Sequence, residues 1–375
     1  MSEISEWFVN DNIFEACKVE ILPKTSIELN LLSKICRLKI ISTDLPEESV
    51  YLFVKTLIDG DLCEDVEVEK IRYCFEREVK VYREFLNDLP KSVGRISPRM
   101  IETDCQHRIV LEDLSVLGYR SQRKFLNLVQ SECVFEQMAT LHALSLHHSV
   151  VHREFTEFSN TICERFTPTL RLMESCARVF LAELRTWEGF SVYADKVENF
   201  LPHYAEVLAR ETEANPPGLG FNVLCHGDLH IGNVMIEENT HNIAMVDYQF
   251  SAWRSPAYDF FSAFNALCNA EVNLNSRNHL VKVYHRKFER TLKDSDYPGR
   301  IPTLLDIHVE LLRHGFLDFF NWIYYLPLLL RYAHDDEDLK TKFKKSLQDT
   351  EYRMIVMTLL PSLIDKGFLE VDREQ

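Results

Sequence analysis

The block VLCHGDLHIGNVMIEENTHNIAMVDYQ, residues 223–249, constrains this chain most. It sets His226, Asp228, His230, Asn233 and Asp247 among small and apolar residues. VLCHG reads as a strand end and a turn. NVMIEE and NIAMVDY alternate like two short strands, joined by a turn around Asn239–Asn242. The surrounding stretches have helical spacing instead: residues 125–148, much of 170–211, 257–290 and 302–333. A small polar hairpin embedded in helices needs a reason.

The first third of the chain has a different character. KICRLKII and VYLFVKTLI, within residues 34–58, are strand-like runs separated by TDLPEES, which predicts a hairpin. Residues 66–87 place Ile71, Cys74, Phe75, Val79, Tyr82 and Phe85 at helical spacing. HRIVLEDL, residues 107–114, reads as another strand. The character changes near Glu112–Leu117, so the expected class is α+β, with a strand-rich domain over 1–114 and a mainly helical one over 115–375.

Composition removes several functions. Lys and Arg number 42 against 58 Asp and Glu, a formal charge of −16, which disfavours nucleic acid or an anionic membrane as partner. The ten cysteines form no C-x-x-C pair and read as reduced thiols. The start, MSEISEWFVNDNIFEACKVE, lacks an apolar signal core, so a cytoplasmic protein is expected. GFLDFFNWIYYLPLLLRY, residues 315–332, carries Asp318 and Asn321 and is broken by Pro327, which argues against membrane insertion.

Three chemistries compete for the opening block. His226, Asp228 and His230 could ligate zinc, but Gly227 and Gly232 favour a loop, and no further Cys or His completes an obvious set. Alternatively Asp and Asn cap a turn while the histidines pack. The third reading is phosphoryl transfer, whose template is H-R-D-x-x-x-x-N followed by an Asp after a short hairpin. Here Asn233 lies five residues after Asp228, and Asp247 follows NIAMV. One Asp must meet a substrate hydroxyl, while an Asn and a second Asp reach Mg²⁺.

The rest of the chain supplies matching parts. Lys55 ends YLFVK, close to the strand lysine that holds ATP phosphates. Glu78 lies on the following helix as its carboxylate partner, with Glu76 and Glu84 as alternatives. Glu112, Asp113 and Leu114 end a strand at the change of composition, where a backbone hinge would meet adenine.

These blocks together resemble the choline kinase and aminoglycoside phosphotransferase branch of the protein-kinase-like fold, and more narrowly the ecdysteroid kinase-like family. The resemblance rests on LCHGDLHIGNVM and MVDYQFSAWRSPAYDFFSAF, with NLLSKICRL, YLFVK, FEREVKVY, IVLEDL and ATLHALSL upstream in order. It implies a bilobal fold, with a small antiparallel-sheet N-lobe and a larger mainly helical C-lobe, and a kinase using ATP and Mg²⁺. Asp228 would be the catalytic base and Asn233 and Asp247 metal ligands. Lys55 would hold the α- and β-phosphates with Glu78 as its ion-pair partner, and Glu112 and Leu114 would meet adenine through backbone groups. Asp259 would brace the catalytic loop, with His226 likewise structural and His142 packing.

One departure stands out. The chain has no glycine before Gly60, so it lacks a glycine-rich phosphate loop. SIELNLLSKICRL takes that place, where Asn30 and Ser33 would supply side-chain hydrogen bonds. The loss favours a pseudokinase-like binding protein; the retained Lys55, Asp228, Asn233 and Asp247 favour an enzyme. The expected substrate is a small hydroxyl compound, apolar like a steroid or hydroxylated xenobiotic, with a choline or ethanolamine kinase as alternative. FLDFFNWIYYLP would line its cavity, or equally form ordinary core. Pro256 and Asp259 follow Asp247 too closely for a long activation segment, so a protein substrate is not expected.

Overall fold

The computed structural model describes residues 17–22, 33–42, 49–57, 65–90, 93–103, 107–152, 155–159, 167–330 and 339–370. In chain order the strands and helices are β1 (Cys17–Leu22), β2 (Ser33–Ser42), β3 (Ser49–Leu57), α1 (Asp65–Glu84), β4 (Met100–Ile101), β5 (Arg108–Glu112) and β6 (Tyr119–Ser121). Then come α2 (Leu128–His152), α3 (Thr167–Leu184), α4 (Ser191–Phe200), α5 (Tyr204–Thr212), β7 (Val223–Cys225), β8 (Val234–Glu237), β9 (Ile243–Met245) and β10 (Ala252–Arg254). The remainder is α6 (Ala257–Ala266), α7 (Ala270–Asn275), α8 (Arg277–Asp294), α9 (Leu304–Arg313), α10 (Phe316–Phe320), α11 (Leu326–Leu330), α12 (Leu339–Leu347) and α13 (Thr350–Asp365).

The chain divides into two compact units. One holds Met1–Gln122 and Val234–Gln249; the other holds Arg123–Asn233 and Phe250–Gln375. The first therefore includes the hairpin β8–β9, far along the sequence from its other strands. β6 recruits it, pairing antiparallel with β8 from Tyr119↔Glu237 to Ser121↔Met235. This tertiary pairing is invisible to a division by chain order.

Within the first unit, five strands run in the order β1-β2-β3-β5-β4. The predicted hairpin is β2–β3, in register from Ser33↔Leu57 to Ile41↔Ser49. Side chains alternate across the sheet, so Cys36, Leu38, Ile40, Leu52, Val54 and Val110 form one apolar cluster. Burying each large aliphatic contributes roughly 1.5–3 kcal/mol. Helix α1 turns Ile71, Cys74, Phe75, Glu78, Tyr82 and Phe85 inward, as its spacing predicts.

The second unit is mainly helical. One large apolar cluster joins α3, α4, α5, α10 and α13 around Phe180, Trp187, Phe319 and Trp322. The expected helix from residue 125 begins at Leu128, because Asn127 and Gln130 exchange side-chain to backbone hydrogen bonds of 3.0 and 3.2 Å. Leu126 instead pairs with Leu267 and Asn269 through its own N–H and carbonyl. The expected long helices over 170–211 and 302–330 are broken into shorter ones, the latter with a π turn at Asn321–Tyr325. Residues 331–333 and the loop residue Asn30 lie outside the described residues. Phe316, Phe319, Phe320 and Trp322 are buried core, so of that stretch's aromatics only Tyr324 and Tyr325 remain partly open.

Candidate active site

The first unit holds Lys55, Glu78 and Asp247 in contact. β3 alternation turns Lys55 away from the face that buries Leu52 and Val54. Its Nζ donates to both Glu78 carboxylate oxygens at 2.9 Å and to Asp247 Oδ1 at 2.6 Å. Lys55 is 4% and Glu78 1% exposed, whereas Glu76 and Glu84 are exposed. Burial therefore decides the choice that spacing left open. Asp247 has φ 69°, a left-handed conformation that Asp tolerates better than most residues, and Gln249 Nε2 reaches its Oδ2 at 3.4 Å.

One ammonium here serves two carboxylates. Burial works to lower the Lys55 pKa, but Asp247 and Glu78 outweigh it and the net shift is upward. Burial raises the Glu78 carboxyl to about 7 against the pull of Lys55, with the Asp247 charge adding to the rise.

The hinge residues are also ordered. Asp113 accepts from Arg37 Nε at 2.8 Å and from the Ser115 N–H at 2.9 Å. The Glu112 side chain pairs with Arg95, and its N–H donates to the Arg99 carbonyl at 2.9 Å. A ligand at Glu112 must therefore use its carbonyl. The Leu114 carbonyl accepts from the Gly118 N–H. Ser33 starts β2 with a buried hydroxyl that has no hydrogen-bond partner among the described residues.

The second unit holds the HGD loop. β7 delivers it and pairs with β10, Cys225↔Ala252 to Val223↔Arg254. Asp259, on the first turn of α6, accepts the His226 N–H at 2.6 Å and the Gly227 N–H at 3.0 Å. His142 Nε2 meets the same carboxylate at 3.1 Å, and its Nδ1 meets Tyr284 Oη at 2.9 Å. Burial alone would raise the Asp259 pKa; the His142 and backbone hydrogen bonds outweigh it and hold it below the usual value. Gly227 sits at φ 81°, and an added Cβ would fall 2.0 Å from the Phe250 carbonyl oxygen. No other residue fits there.

These braces aim Asp228 and Asn233. Asn233 Nδ2 donates to the Asp228 carbonyl at 2.9 Å and to Asp228 Oδ2 at 3.1 Å. With Nδ2 so committed, Oδ1 is the atom Asn233 offers outward, and an amide oxygen with carboxylates suits a hard cation such as Mg²⁺. The zinc set does not assemble. His226 Nδ1 accepts the Asp228 N–H at 3.3 Å, and His230 Nδ1 accepts the Gly232 N–H at 3.0 Å. Among the described residues the metal-like group is His142, Cys225 and Asp259, all buried. Its nitrogens and carboxylate already hold the loop, and burial raises the Cys225 thiol well above its usual pKa. Tyr284 had no signal in the sequence, since it acts through one distant contact and no motif, whereas Gln249 belongs to the Asp-Tyr-Gln triplet.

The described cysteines are free thiols, and no described helix is long and apolar enough to cross a membrane. Two curated relatives in Arabidopsis thaliana are similar over part of the chain. "Probable choline kinase 1" is 33% identical over 103 residues, 28% of this chain and 24% of that protein. "Probable choline kinase 3" is 40% identical over 92 residues, 24% of this chain and 22% of that protein. The chain thus spans about a quarter of the length of the curated relatives it matches. A solved ethanolamine kinase of Plasmodium vivax is 13% identical, covering 97% of this chain and 88% of its own, with a TM-score of 0.47. A model of the ecdysteroid kinase-like family matches residues 29–297, most of the chain, and the protein belongs to that family.

Proposed function

We propose that this protein is an ATP-dependent kinase that transfers the γ-phosphoryl group to a hydroxyl of a small apolar alcohol, such as an ecdysteroid, another steroid or a hydroxylated xenobiotic. The observation that carries the reading is the buried Lys55 ammonium held by Glu78 and Asp247. A buried lysine between two carboxylates leaves surplus negative charge, which suits a site that takes up a cation together with the ATP phosphates of the kinase template. Asp228 accepts the acceptor proton. Asn233 Oδ1 and Asp247 would hold Mg²⁺, which would supply positive charge against the transferring phosphate. The Glu112 carbonyl and Leu114 N–H meet adenine, and the Ser33 hydroxyl takes over part of the missing glycine-loop cover. The two compact units act as the two lobes, in the cytoplasm.

A choline- or ethanolamine-type kinase is the second reading, favoured by the names of the similar proteins. It requires a cage for a charged amine. The two readings separate on a panel of ecdysone, other hydroxysteroids, choline and ethanolamine with Mg²⁺-ATP. Asp228→Asn should lower turnover by about 10²–10⁴-fold while nucleotide still raises the melting temperature. Wild-type turnover in that variant would sink the role of Asp228. Nucleotide binding by the wild type without transfer to any acceptor would instead favour a pseudokinase-like binding protein.

A further inference from the structure

The chemistry leaves His230 without a part, yet its ring is locked more tightly than a bystander needs. The Gly232 N–H donates to His230 Nδ1 at 3.0 Å, so Nδ1 is an acceptor and the neutral ring carries its proton on Nε2. Nε2 lies 3.7 Å from Asp228 Oδ2, too far for a direct hydrogen bond. An oxygen beside that pair would lie within reach of both groups. It would accept from His230 Nε2–H while donating its own proton to Asp228. The two side chains are 22% and 12% exposed.

Gly232 makes this lock possible. A Cβ added there would fall 2.8 Å from His230 Cε1 and push the ring off its backbone donor. The other side of His230 faces Tyr325, with ring centroids 6.3 Å apart. Tyr325 ends the π turn, and its hydroxyl is buried with no hydrogen-bond partner among the described residues. Asn321 Oδ1, which starts the same turn, is likewise unpartnered. π turns and orphaned polar groups both concentrate where ligands bind.

We infer that His230 is a positioning residue for the acceptor hydroxyl, fixed in its Nε2–H form by Gly232, and that Tyr325 forms the acceptor wall beside it. The inference rests on the kinase reading and adds a specificity element to it. The ligand class is an alcohol on a flat apolar body, with a second polar group for the Tyr325 hydroxyl.

The test uses the full chain with Mg²⁺-ATP and either ecdysone or choline as acceptor. His230→Ala should raise the acceptor KM about tenfold or more and leave the ATP KM unchanged. His230→Gln, which keeps an N–H donor, should recover part of the loss. Tyr325→Phe should raise the KM for ecdysone and not for choline. Gly232→Ala should reproduce the His230→Ala phenotype and add nothing in the double variant, because both act through one ring. An unchanged acceptor KM in His230→Ala, or additive losses in the double variant, would overturn the inference. If water is the only acceptor that the wild type uses, His230→Ala must lower ATP hydrolysis, and an unchanged rate overturns it equally. A wild type that neither transfers nor hydrolyses removes the kinase reading, and this inference with it.

Discussion

Glu78 and Asp259 are both buried carboxylates, one in each unit, and their acidities move in opposite directions. Burial raises Glu78 to about 7, while Asp259 is held below its usual value. The difference lies in the donors. Asp259 alone receives two backbone N–H groups and the His142 ring. Glu78 shares the Lys55 ammonium with Asp247 and has one backbone hydrogen bond, from Tyr248. One buried carboxylate is thus over-supplied with donors and the other under-supplied. The first arrangement suits a permanent brace. The second leaves surplus negative charge, which suits a group that exchanges partners when a cation and an anion arrive together.

The comparison can be broken most directly at Asp259. Asp259→Ala strands two backbone donors and a histidine, and should lower the unfolding free energy by about 3–5 kcal/mol in urea titrations. A loss under about 1 kcal/mol would mean that water replaces the brace at no cost. Lys55→Met, which leaves the buried Glu78 carboxylate beside the partly buried Asp247 with no counter-ion, should cost roughly 3 kcal/mol at neutral pH. That cost should shrink as acid protonates Glu78, since the neutral acid needs no counter-ion.

The smallest expected effect is a matter of sign. The folded pKa of Glu78 lies above its unfolded value, so the stability it contributes is complete below about pH 4.5 and is lost as pH rises through about 7. For Asp259 the folded pKa lies below the unfolded one, so its contribution is present above about pH 4 and is lost in acid. Melting curves of Glu78→Gln should therefore converge with wild type below about pH 5 and diverge above it. Those of Asp259→Asn should diverge from wild type at neutral pH and converge in acid. Parallel profiles for the two variants would erase the contrast.

Much of this was legible in the sequence where the signal is local. Alternation in KICRLKII and VYLFVKTLI reports β2 and β3, and the spacing of Ile71, Cys74, Phe75 and Tyr82 reports the buried face of α1. The five-residue step from Asp228 to Asn233 reports a loop whose two ends bond each other. Other features had no local trace. The choice of Glu78 over Glu76 and Glu84 needed the packed face. The pairing of β6 with β8 joins residues more than a hundred positions apart. Tyr284 serves His142 through one contact 142 residues away. The π turn lies just before Pro327, so the sequence marks a break there without showing its geometry.

By itself the sequence determined the element types, the order of the chemical groups and the family pattern. Each of these depends on neighbours within a turn or a strand repeat. Only the tertiary structure decided which carboxylate meets Lys55, what holds the HGD loop, and that Gly232 orients His230. The physical reason is burial. Desolvation makes every unmatched charge or donor costly, so partners are chosen by what the folded chain brings within about 3 Å, whatever their separation along it.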